Sequence, residues 1–103
     1  MNIKITARKF KAHDSLKDYI KAELHLLEKY SDDLLSADVI LSYQNNLNSL
    51  KTAEIILKIP HQVLKAKVET EDFKKSVSAA VEKLRAQLNT VKSKRVNKAR
   101  WLE

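Results

Sequence analysis

The chain has no glycine, no cysteine and a single proline, and aromatic residues make up only 6% of it. Without cysteine there is no disulfide, no thiolate metal ligand and no cysteine nucleophile. Without glycine there is no Gly-rich loop to cradle a phosphate and no nucleophile elbow, which sets nucleotide-dependent enzymes aside. Apolar runs are short. None approaches the ~20 residues of a membrane span, and Met1-Asn2-Ile3-Lys4 does not open a signal peptide, so a cytoplasmic location is expected. His13, His25 and His61 fall in a loop, on a helix and in a turn, with no HxH or HExxH spacing, and no metal site is expected of them. Asp32-Asp33 reads as a helix end, not a carboxylate dyad. No catalytic residue, cofactor or small-molecule substrate is expected.

What is present fits one small globular domain: 103 residues, 44% hydrophobic and 32% charged. Its charge is unevenly placed. Residues 1–72 hold 11 basic and 11 acidic side chains, whereas residues 73–103 hold 9 basic and 2 acidic, which is the whole net charge of +7. A neutral body with a basic final segment points to a polyanionic partner.

The periodicity predicts the order β-α-β-β-β-α. Ile3, Ile5 and Ala7 alternate with polar residues over 2–7, a strand with one buried face. Arg8, Lys9 and Lys11 lie in the connection that follows. A helix opens at Asp14 or Ser15, where Ser15 and Asp18 resemble a capping box, and carries the stripe Leu16, Tyr19, Ile20, Leu24, Leu27 and Tyr30. Glu23 is offset from that stripe and expected in solvent, and Leu34-Leu35 is expected to pack down as a short turn. Strands are predicted over 37–43, 52–59 and 63–70, the last two joined at Pro60-His61-Gln62. From Asp72 to Lys92, Phe73, Val77, Ala80, Val81, Leu84, Leu88 and Val91 form one apolar stripe, with Thr70 or Asp72 as the cap.

The expected fold is therefore α+β: a four-stranded mixed sheet with two helices on one face, strands one and two parallel through a right-handed crossover. Residues 1–92 form the domain in this reading, and 93–103 form a basic, flexible tail.

The cations away from the apolar stripe carry the functional signal. Lys83, Arg85, Lys92, Lys94, Arg95, Lys98 and Arg100 make the end of the second helix and the tail densely basic, and such side chains suit phosphate oxygens. An anionic membrane surface would need an apolar face open to lipid, but the core uses that face, so nucleic acid is favoured over membrane. Tyr30 and Tyr43 fit packing better than base stacking.

NIKITARKF, SLKDYIKAELHLLEKY, ADVILSY and ETEDFKKSVSAAVEKLRAQLNTVKSK resemble the ribosome hibernation promoting factor family, also called ribosome-associated inhibitors or sigma-54 modulation proteins, over roughly residues 1–95. The resemblance rests on Leu27-Glu28-Lys29-Tyr30 at the end of helix one, the acidic start of helix two at Asp72, and Lys83-Leu84 with Gln87-Leu88. Leu26, Phe73-Lys74, Arg85-Ala86 and the glycine-free turn at Pro60-His61-Gln62 depart from the family pattern. The resemblance implies the family's β-α-β-β-β-α fold and a non-catalytic translation inhibitor. Such a protein occupies the mRNA and tRNA channel of the small ribosomal subunit during starvation or stationary phase. It further implies that the partner is that subunit and its ribosomal RNA, and that the chain is of the short type. The RNA-binding candidates are Arg8, Lys9, Lys29, Lys75, Lys83, Arg85, Lys92, Lys94 and Arg95. Two alternatives stay open: a protein-interaction modulator of sigma-54-dependent transcription, and a free-standing RNA-binding module.

Overall fold

A computed structural model describes residues 1–43 and 50–102, the side chains of 92–102 aside. Its elements are β1 (Asn2–Ala7), α1 (Asp14–Leu26) continued by a 3-10 turn (Leu27–Lys29), β2 (Ser36–Tyr43), β3 (Lys51–Ile59), β4 (Gln62–Thr70) and α2 (Phe73–Leu102). The sheet order is β1-β2-β3-β4, with β1 parallel to β2 and the two later pairs antiparallel. This is the expected mixed sheet. The polar loop 44–49, read from the sequence as Asn-rich, lies outside the described residues.

The alternation of side chains decides where the helices sit. Ala37, Val39 and Leu41 of β2 are fully buried, as are Ala53, Ile55 and Leu57 of β3. On the other sheet face Lys58, Lys65 and Lys67 are exposed, and Asp38, Ile40, Glu54 and Ile56 are half-buried. Both helices therefore cover one face. Ile20, Leu24 and Leu27 from the first helical segment join Val77, Ala80 and Leu84 from α2 in a single apolar cluster with the inward strand residues.

Several local expectations are corrected. α1 opens at Asp14, one of the two expected positions, but Ser15 forms no capping box: the cap is His13, whose carbonyl accepts from the amides of Leu16 (3.0 Å) and Lys17 (3.1 Å), and no side chain caps the helix. Leu34 packs down but Leu35 is 56% exposed. At α2 the carboxylate of Asp72 accepts from the amide of Lys74 at 3.0 Å, and Thr70 Oγ1 accepts from the amide of Asp72 at 3.1 Å. Of the two predicted capping residues, Asp72 caps the first turn, while Thr70 holds the amide of Asp72 itself. The helix does not end at Lys92 but runs to Leu102. The stretch after Lys92 has neither glycine nor proline to stop it and is rich in Lys, Arg, Ala and Leu, all good helix formers.

Candidate nucleic-acid interface

β1, β2 and β4 run in the same direction, and each helix follows a strand of that set, α1 after β1 and α2 after β4. Both helices therefore start at the same end of the sheet and run side by side in parallel. The contacts between them bear this out. The hydroxyl of Tyr19, early in α1, is hydrogen-bonded to that of Ser78, early in α2, and Ser78 Oγ also donates to Glu23 Oε1 at 3.3 Å. Glu23 is therefore not a solvated residue; it closes a polar link between the helices. One turn and more further on, Arg85 of α2 lies over the ring of Tyr30, 5.7 Å from its centroid.

The shallow cleft between the helices is floored by Leu26, Leu27 and Val81 and rimmed by Glu23, Glu82, Tyr30 and Arg85. Lys74 stands at its upper end with Nζ 5.5 Å from the centroid of Tyr19. Each cation is thus placed over a π face, a contact that orients the charge without neutralising it.

The nine candidates are not gathered into one patch. Arg8 and Lys9 are exposed on the connection after β1, at the end where both helices begin. Lys29 is exposed at the far end of the first helical segment, beside Tyr30. Lys75 is exposed near the start of α2 and Lys83 about two turns on. Lys83 and Arg85, two residues apart, are separated by about 200° around the helix axis. Arg85 faces α1. Lys83 lies on the flank towards β4, where Gln87 Nε2 donates to the Lys65 carbonyl at 3.0 Å. The side chains of Lys92, Lys94 and Arg95 lie outside the described residues, although the backbone there is helical.

Two of the cations have acidic partners. Arg85 Nε donates to Glu82 Oε2 at 2.7 Å, and Lys75 Nζ donates to Glu71 Oε1 at 2.7 Å. These hydrogen bonds, with the attendant charge attraction, hold the carboxyls of Glu82 and Glu71 below the ordinary carboxylate value and raise Arg85 and Lys75. All four groups face water, so the pairs are weak and open to exchange for a stronger anion. Among the described residues no three His, Asp or Glu side chains converge as a metal would require. Nor is any helix there long and apolar enough to cross a membrane.

Residues 3–96 match the model of the family described as sigma 54 modulation protein / S30EA ribosomal protein. The chain belongs to that family. It is 26% identical over 94 residues to the ribosome hibernation promotion factor of Bacillus subtilis (strain 168), covering 91% of this chain and 50% of the relative. The chain thus spans about half the length of that protein. Among solved structures, the N-terminal domain of Protein Y from Thermus thermophilus matches with a TM-score of 0.80 and 29% identity, covering 88% of this chain and 99% of that one. A ribosomal subunit interface protein from Coxiella burnetii shares the fold at a TM-score of 0.82 and 22% identity, over 90% and 99% of the two chains. Membership makes this a binding protein and not an enzyme.

In this family member the sequence reading missed Lys74 and the aromatic pairs that steer the cations. No local signal existed for them. Tyr19 and Lys74 are 55 positions apart in the chain, and only the parallel course of the helices brings them together. Glu82 was visible as the lone acid within the helix, but its pairing with Arg85 depends on rotamers that spacing alone does not set.

Proposed function

We propose that this protein binds the small ribosomal subunit through its ribosomal RNA, and that it occupies the mRNA and tRNA channel and so blocks translation under starvation. The observation that carries the reading is the family match over residues 3–96, which spans the sheet, the first helical segment and α2 as far as residue 96, and so the cleft between the helices. The B. subtilis relative is a ribosome hibernation promotion factor by name, and the C. burnetii structure is that of a ribosomal subunit interface protein. The cytoplasm is the compartment that this role requires.

Physically, the chain offers a neutral body and a cationic helix. The backbone of α2 is already ordered and, as far as Val91, its apolar side packs on the core, so only side-chain freedom remains to be lost when its cations meet phosphates. Arg8, Lys9, Lys29, Lys75, Lys83 and Arg85, with Lys92, Lys94 and Arg95 further along α2, are the proposed phosphate contacts. Because Lys83 and Arg85 point to opposite flanks of α2, the RNA lies on both sides of that helix. A flat surface could not meet both. Residues 93–102 serve in this proposal as a basic extension of the same helix.

Sedimentation of purified 30S particles with the protein through a sucrose gradient tests the reading. Co-migration with the particle is expected. Protein that stays at the top of the gradient at low salt would overturn it and favour the transcriptional alternative.

A further inference from the structure

At the end of the sheet where both helices begin, three rings come together from three distant parts of the chain. Phe10 lies against Phe73 in a stacked arrangement, centroids 5.1 Å apart with 15° between the planes. Phe10 and Tyr43 form a T-shaped pair, centroids 5.5 Å apart with 73° between the planes. Phe10 and Phe73 are half-buried and pack on the core, so their presence is explained by packing. Tyr43 is not. It is the last residue of β2, 42% exposed, and its hydroxyl has no hydrogen-bond partner among the described residues.

The surroundings of this ring are cationic. Arg8, Lys9 and Lys11 flank Phe10 in the chain, and no acid precedes Asp14. The amide of Arg8 donates to the carbonyl of Leu41 at 2.9 Å, which anchors that residue beside β2 two positions before Tyr43. Lys51 is the cross-strand partner of Tyr43, and its Nζ is 5.8 Å from the centroid of Phe73. None of these four cations is in an ion pair among the described residues. The nearby acids are already engaged: Glu71 with Lys75 at 2.7 Å, and Asp72 with the first turn of α2 at 3.0 Å.

We propose that Tyr43, buttressed by Phe10 and Phe73, is a stacking platform for one unpaired RNA base, with Arg8, Lys9 and Lys51 taking the adjoining phosphates. A partly exposed aromatic ring beside cations that have no ion-pair partner among the described residues is what sequence-tolerant single-strand binding uses. The inference deepens the ribosomal RNA reading and rests on it for the identity of the partner, while assigning to that partner a local single-stranded contact away from the helix cleft.

The test compares wild type, Tyr43→Phe and Tyr43→Leu for affinity to 30S particles, and in parallel to a single-stranded oligouridylate and to the same strand in a duplex, with melting temperature as the folding control. Loss of the ring face should weaken 30S and single-strand binding about 5- to 150-fold for Tyr43→Leu. Tyr43→Phe should bind as wild type, the duplex should not discriminate, and all three proteins should melt together. Equal binding by Tyr43→Leu and wild type to both 30S and oligouridylate overturns the stacking platform and leaves the ribosomal reading standing. Absence of 30S binding by wild type, with the oligouridylate difference retained, overturns the ribosomal reading and leaves the platform standing. A Tyr43→Phe defect as large as that of Tyr43→Leu would also overturn it, since the hydroxyl and not the ring would then be responsible.

Discussion

Two residues show how a chain without glycine turns corners. His61 has φ 70° and Lys9 has φ 64°, the left-handed region that costs an ordinary side chain about 1–2 kcal/mol. In the β3–β4 hairpin, proline fixes φ near −65° at Pro60, and positive φ at His61 completes the pattern of a type II turn, whose third position favours glycine. His61→Gly should therefore raise the unfolding free energy by about 1 kcal/mol, read from the denaturant midpoint, because the relief of strain exceeds the entropy that glycine adds to the unfolded chain. At the opposite extreme is Leu84, fully buried at the centre of the α2 stripe. Leu84→Ala should lower stability by about 2–5 kcal/mol in the same measurement. The burial of Leu84 was legible from spacing alone. The positive φ at Lys9 was not, since nothing in Arg8-Lys9-Phe10 marks a turn.

The elements were legible where one periodicity ruled and illegible where two surfaces met. All four strands and both helices could be placed from alternation and stripe, because each buries one face against the same core. The end of α2 was misplaced at Lys92: the apolar stripe fades there, but helix propensity does not, and the helix continues to Leu102. Glu23 was assigned to solvent because a single helix shows only its own stripe, while the hydrogen bond from Ser78 belongs to the neighbouring helix. The same limit applies to α2 as a binding element. Its cations looked like one basic face, yet Glu82 holds Arg85 at 2.7 Å on the α1 side while Lys83 lies on the flank towards β4. If Arg85 reaches phosphate, Glu82 competes with the RNA for it. Glu82→Gln should then tighten RNA binding several-fold at low salt, with little change in melting temperature, because so exposed a pair contributes little to the fold. Unchanged affinity would show that Arg85 remains bound over Tyr30 and takes no part.

At the scale of the molecule, the sheet and α1 carry as many acids as bases apart from local clusters, and the net charge of +7 resides entirely in residues 73–103. That asymmetry was the clearest functional signal in the sequence, and the fold gives it a shape: a helix whose apolar side packs on a neutral support as far as Val91. Affinity in such an arrangement should come mostly from counterion release and should be largely blind to base sequence, since stacking on Tyr43 would be sequence-tolerant as well. The most direct measurement of this account is the dissociation constant for 30S particles as a function of salt, for wild type and for Lys92→Ala/Lys94→Ala. If the nine proposed phosphate contacts each neutralise one phosphate, the log–log slope should be roughly −6.3 to −8.1 for wild type and flatter by about 1.4 to 1.8 in the double variant. Lys58→Ala, on the opposite sheet face, should leave the slope unchanged. A slope near zero, or one that responds to Lys58 as strongly as to the α2 lysines, would contradict the account.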